Sequence, residues 1–178
     1  FNYVSFHAPI LEYGQNEKTE KIFDLIRGIN RRIRKLDLVI FHPNTVKDFS
    51  VFGGLDFPVA FENMCRRKAT FKYPGEFKEI FDQNNKLRLV LDVNHIYTND
   101  SSMNLIFTFY KEWASRIAQI HLSGYIGYHD PLFQTKQAKI IMAIQNFNIP
   151  IIVESIIGVT VIQKERDYIL ETIKELQD

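Results

Sequence analysis

Six residues able to bind a metal ion each follow a short apolar run. They are His7, His42, Glu62, Asp92, His121 and Glu154, separated by 35, 20, 30, 29 and 33 residues. Those intervals are close to the length of one strand–helix unit. The donors are imidazole nitrogens and carboxylate oxygens with no thiolate, a set suited to Zn²⁺, Mn²⁺ or Fe²⁺ in a reactive site rather than to a structural zinc. One His or Glu after a strand is usually a capping or surface residue. Six in succession are different, because buried imidazoles and carboxylates are costly without partners and a cation is the simplest partner they could share. His95, three residues after Asp92, and His129, in the loop after the glycine-bearing stretch 123–127, extend the set. Each reads equally well as an ordinary loop histidine, a further ligand or a substrate contact.

Such residues meet only if the elements carrying them are parallel. The runs at 3–6, 38–41, 59–61, 87–91, 117–120 and 150–153 are short and largely apolar, as strands buried on both faces are. Helical spacing fills the intervals 17–35, 74–83, 101–116, 135–147 and 167–176, whereas 43–57, with Gly53-Gly54, reads as a loop with at most a short helix. Strand and helix alternating in this way predict an α/β chain with right-handed crossovers. In a parallel barrel every strand delivers its C-terminal end to one face, so the six residues would converge on one mouth.

Composition bounds the rest. A chain of 178 residues, 46% of them hydrophobic, is one domain with material for a core. Lys+Arg 22 against Asp+Glu 21 leaves a net charge of +1, which excludes an acidic tail or a strongly basic nucleic-acid clamp. Cys65 is the single cysteine, so no internal disulfide forms and a reducing cytoplasm is the expected compartment. No run approaches the roughly 18 apolar residues of a membrane helix. The most apolar region, 140–162, is broken by Gln145, Asn146, Asn148, Pro150 and Glu154.

The segments Phe6-His7-Ala8-Pro9, Phe41-His42-Pro43, Phe61-Glu62-Asn63-Met64, Leu91-Asp92-Val93-Asn94-His95, Ile120-His121-Leu122-Ser123 and Val153-Glu154-Ser155 resemble, in order and spacing, the xylose-isomerase-like TIM-barrel superfamily. It includes the endonuclease IV type of apurinic-site nucleases and many sugar isomerases and epimerases. The resemblance starts at the third strand of that barrel. With the Phe1 start, it implies a single (β/α)-barrel domain over 1–178, incomplete, whose first two βα units lie outside these residues.

The nuclease branch implies three zinc ions. His7, His42 and Glu62 would hold one; Glu62 would bridge to a second, bound by Asp92, His121 and Glu154; His95 and His129 would hold the third. This chain departs from that pattern at Gly127, where an Asp ligand would stand, and at Arg66-Arg67-Lys68, which replace a glycine-rich run. The isomerase branch implies one metal on Glu62, Asp92, His121 and Glu154, with His95 touching substrate. Here the departures are Lys68 in place of a second acid and Gly127 in place of an arginine.

The resulting expectation is a divalent-metal-dependent hydrolase, zinc first with Mn, Mg, Fe or Co as alternatives, cleaving phosphodiesters at abasic sites in DNA. Its alternatives are a single-metal sugar (phosphate) isomerase or epimerase and a degenerate barrel without chemistry. Glu62, Glu154 and His95 are the candidate catalytic groups. Arg66, Arg67, Lys68 and Tyr125 are the candidate substrate contacts, cations for phosphates and a ring for stacking. Arg31, Arg32, Arg34 and Lys35 read as a solvated helix end at the opposite face. Six strands leave two open edges, so self-association through them is a further expectation.

Overall fold

The apolar runs become six strands: β1 (Ser5–His7), β2 (Leu38–Phe41), β3 (Val59–Glu62), β4 (Arg88–Asp92), β5 (Ile117–Leu122) and β6 (Ile151–Val153). In the computed structural model, which describes residues 2–33 and 35–176, all pair in parallel in the order β1-β2-β3-β4-β5-β6. The helices between them are α1 (Glu17–Arg32), α2 (Lys78–Gln83), α3 (Val93–Asn99), α4 (Asn104–Trp113), α5 (Leu132–Thr135), α6 (Ala138–Met142) and α7 (Ile162–Glu175). The sheet curls until residues at the ends of β1 and β6 line one cleft. The result is an α/β fold, an incomplete (β/α) barrel.

Local chemistry accounts for the element boundaries. α1 starts where the Asn16 side chain accepts the Thr19 N–H, and it buries Phe23 and Ile26. It ends at Arg32 rather than at 35, and the Asn30 side chain accepts the Leu36 N–H as the chain turns toward β2. Of the basic cluster, Arg34 lies outside the described residues, while Arg31 pairs with Asp56. The 74–83 helix opens as a 3₁₀ turn, Pro74–Phe77, and 43–57 contains two such turns, Pro43–Thr45 and Phe49–Phe52. α4 starts at Asn104 instead of 101 because the Asp100 carboxylate accepts the N–H groups of Ser102 and Leu105 and Met103 turns left-handed (φ 67°). Of the expected 135–147 helix only α6 forms, ending at Met142, and α5 lies ahead of it, ending at left-handed Lys136 (φ 56°). α7 starts five residues before 167, and α3 is an additional helix.

Strand alternation sorts the core into two layers. Val39, Phe41, Val59, Phe61, Leu89, Leu91, Ile120 and Leu122 face the helices, where Tyr13, Phe23, Phe52, Phe77 and Phe81 are also buried. Leu38, Ile40, Ala60 and Val90 form a smaller cluster inside the barrel. His42, Glu62 and Asp92 share the phase of this inner set, two residues further along each strand. β5 reaches the same phase through an irregularity: Leu89 pairs with Ile117 but Val90 with Gln119, so Ala118 is an extra residue. That single insertion turns Gln119 and His121 inward, with His121 opposite Asp92.

β6 pairs with β5 alone among the described strands. The Glu154 N–H donates to Leu122 O, so the N–H groups of Ile151 and Val153 point to the open side. Native-state hydrogen exchange should therefore find Glu154 protected and Val153 exchanging much faster. Equal protection at Val153 would show that another strand covers this edge.

Candidate metal centre

Glu62, at the end of β3, is 2% exposed and faces four histidines. Its Oε2 lies 3.3 Å from His7 Nε2 and 3.1 Å from His42 Nε2. Its Oε1 lies 2.9 Å from His121 Nδ1 and 3.9 Å from His95 Nδ1. Burial works to raise the Glu62 pKa, but hydrogen bonds from His121, His42 and His7 outweigh it and hold the carboxyl well below its ordinary value. His121 Nδ1 is shared with Glu154 Oε1, 3.0 Å away. Burial would lower the His121 pKa, yet the hydrogen bonds to Glu154 and Glu62 and their charges push it up to about 10.

Asp92 is also buried. Its Oδ1 accepts the His95 N–H at 2.8 Å and so caps α3, while Oδ2 has no hydrogen-bond partner. Burial, then the charges of Glu62 and Glu154, raise the Asp92 pKa well above the ordinary carboxylate range. Three carboxylates around one imidazole, one of them with an unpartnered buried oxygen, form a donor set that a divalent cation would satisfy. Ligand atoms of Glu62, Asp92, His121 and Glu154 lie within 4.8 Å of one another, as do those of His7, His42 and Glu62 and those of Asp92, His95 and His129. The structure thus brings all eight candidate ligands into three overlapping groups.

Neighbouring polar groups hold these side chains. Asn63 brackets Asp92, accepting its N–H through Oδ1 at 2.7 Å and donating to its carbonyl at 3.0 Å. His95 Nδ1 lies 2.7 Å from Asn63 O, and as its donor leaves Nε2 free as an acceptor. His129 Nδ1 sits 2.8 Å from Ser123 Oγ, and burial lowers its pKa. Its loop closes through reciprocal Gly124–Asp130 backbone bonds, and Asn94 donates to the carbonyls of Gly124 and Tyr128. A Cβ on Gly124 would stand 2.5 Å from Thr135 Oγ1 and 2.9 Å from Asp130 O, so only glycine fits there. The Asp130 carboxylate accepts the N–H groups of Ile126, Gly127 and Tyr128, which commits it to the loop and holds its pKa below the ordinary value.

Gln119 went unnoticed in the sequence. It is fully buried, two residues before His121 on the same face, with its amide nitrogen 2.6 Å from His121 Nε2 and its Oε1 unpartnered. A cation on Nδ1 requires the imidazole proton on Nε2, and Gln119 accepts that proton once its amide turns. The one available signal was a polar residue inside the apolar run 117–122.

The centre opens into a cleft of about 570 Å³ lined by His7, His42, Glu62, Glu154 and, from the turn after β3, Arg67 and Lys68. Arg66 and Tyr125 stand behind this wall, joined by a 3.2 Å hydrogen bond, and Tyr128 lines the cleft.

No family model matches the sequence, and no curated protein matches it significantly. Among solved structures, a D-tagatose 3-epimerase-like protein superposes with a TM-score of 0.71 at 16% identity, over 98% of this chain and 78% of that one. A D-psicose 3-epimerase, crystallised in the presence of D-fructose, superposes at 0.54 and 14% identity, over 92% and 68%. At such identities the likeness is one of fold, shared with sugar epimerases built on the TIM-barrel plan.

With the His121 pKa pushed up to about 10 by Glu154 and Glu62, a cation taking Nδ1 would displace a proton. Titration calorimetry at pH 7 should find about one or more protons released per Mn²⁺ bound and an affinity that rises with pH. Glu62→Gln should weaken binding about 100-fold and Gln119→Leu roughly 10- to 100-fold, both exceeding His129→Ala.

Proposed function

We propose that this chain is a divalent-metal-dependent sugar isomerase or epimerase. The observation that carries the reading is the convergence of Glu62, Asp92, His121 and Glu154, two of which, Glu62 and Glu154, line an open cleft. The two solved structures above, a D-tagatose 3-epimerase-like protein and a D-psicose 3-epimerase, support the sugar reading over the DNA one through their fold. Three carboxylates to one imidazole is an oxygen-rich set, which moves the preference from zinc toward Mn²⁺ or Mg²⁺. Bound there, such a cation polarises the carbonyl and hydroxyl oxygens of a sugar and stabilises charge developing beside the carbonyl.

The protein's own groups divide the remaining work. The Glu154 side chain is 27% exposed against 2% for Glu62, so Glu154 presents a carboxylate oxygen to the cleft. It is the group that removes a proton from the carbon beside the carbonyl. Isomerisation then delivers a proton to the neighbouring carbon, and epimerisation delivers one to the opposite face of the same carbon. Glu62, its Oε2 gripped by His7 and His42, stays ionised and oriented as a ligand. Asp92 completes the ligand set from β4. His95, with Nδ1 turned to Asn63 O, offers Nε2 to a substrate hydroxyl.

One observation favours a second reading. His7, His42 and Glu62 form their own potential cation group, for which single-metal isomerisation has no need. Two or three ions at this mouth would suit in-line attack on a phosphodiester. Elemental analysis with parallel assays on ketoses and on abasic-site DNA separates the two. The sugar reading expects about one tight ion per chain and ketose conversion; several ions with strand cleavage would replace it. At saturating metal, Glu154→Gln should lower ketose turnover by about 10²- to 10⁴-fold.

A further inference from the structure

The turn that follows Glu62 has no part in the chemistry above. Arg66, Arg67 and Lys68 are consecutive cations, and among the described residues none of them makes an ion pair with a carboxylate. Arg67 and Lys68 line the same cleft as Glu62 and Glu154. Among the described residues, the only carboxylates lining that cleft are Glu62 and Glu154, both already in the cation group. Like charges gathered beside a cleft without partners repel one another and favour an anion brought in from outside.

The turn is also fixed in place. The Lys68 N–H donates to Cys65 O at 3.0 Å, and the Met64 N–H donates to Phe71 O at 2.7 Å. Phe71 is left-handed (φ 62°), and the Glu76 carboxylate accepts the N–H groups of Phe71, Lys72 and Tyr73. From outside the turn, Thr98 Oγ1 accepts the Arg66 N–H, and Gly127 O accepts from the Arg67 guanidinium at 2.6 Å. The Arg67 guanidinium lies 5.7 Å from the Tyr128 ring centroid. Its remaining N–H donors and the ammonium of Lys68, a residue lining the cleft, are therefore presented on an ordered backbone, which lowers the cost of ordering them around a ligand.

We infer that Arg67 and Lys68 form an anion subsite of the cleft, and that the sugar it takes carries a phosphate monoester. This rests on the sugar reading of the centre. A dianionic phosphate has acceptor oxygens for both a guanidinium and an ammonium, and ketose phosphates set such a group a few bonds from the carbonyl.

The test compares binding of D-fructose, D-fructose 6-phosphate, D-fructose 1-phosphate, inorganic phosphate and an abasic-site duplex to the Mn²⁺-loaded protein. Wild type, Lys68→Ala, Lys68→Arg and the double variant Arg67→Ala/Lys68→Ala are measured side by side. At least one phosphate ester should bind about tenfold or more tighter than D-fructose, as one charge-assisted hydrogen bond provides. That preference should weaken with salt, fall in Lys68→Ala, disappear in the double variant and persist in Lys68→Arg. Esters binding no tighter than D-fructose, a preference that survives the double variant, or tighter binding of the duplex would overturn the subsite. If inorganic phosphate and the esters bind through Arg67 and Lys68 while no ketose or ester is converted, the subsite stands and the sugar-isomerising reading falls. If D-fructose is converted without any preference for phosphate, the reverse holds.

Discussion

The structure turns on one ionised carboxylate removed from water. An isolated buried carboxylate is costly enough that it would normally take up a proton. Glu62 avoids this because His7, His42, His95 and His121 surround its two oxygens, and they come from β1, from the end of β2, from α3 and from β5. Holding those imidazoles around one side chain requires a sheet curled enough to bring separated strands together. Asp92 and Glu154 bring two further carboxyl groups to the same point, and burial, then the charges of Glu62 and Glu154, raise the Asp92 pKa. A divalent cation bound where the three carboxylates meet would offset their charge.

Register converts this electrostatic demand into a backbone requirement. Strand side chains alternate between faces, so a shift of one residue would send a ligand into the helix layer. β2, β3 and β4 deliver His42, Glu62 and Asp92 in phase with the inner residues Ile40, Ala60 and Val90. β5 would be out of phase from Gln119 onward were it not for the extra residue Ala118. Its bulge brings both His121 and its partner Gln119 inward. The inner apolar cluster beneath them is small, and the larger aromatic layer outside the sheet supplies most of the buried core.

Much of this was legible in the sequence because position and residue type reinforced each other. Short apolar runs at βα spacing implied parallel strands, parallel strands implied a common face, and the residue after each run was a metal-binding type. The strand count of six followed from the same rhythm. What stayed hidden depends on partners rather than on the chain itself. A bulge exists only relative to the neighbouring strand, so Ala118 carried no mark. Gln119 resembles any polar interruption until His121 is seen against it. α3 was missed because Asp92 had been read as a ligand, while its other oxygen also caps a helix. The weighting between DNA and sugar chemistry was the least legible part, since His7 and His42 fit the nuclease pattern while the fold neighbours are sugar epimerases.

In the proposed centre Glu62, Asp92, His121 and Glu154 share one cation. The most direct measurement is anomalous diffraction at the manganese edge from crystals of the protein grown with Mn²⁺. One strong peak should lie about 2.0–2.3 Å from an oxygen of each of the three carboxylates and from His121 Nδ1. A strong peak held by His7 and His42, with none at His121, or no peak anywhere in the cleft, would contradict it.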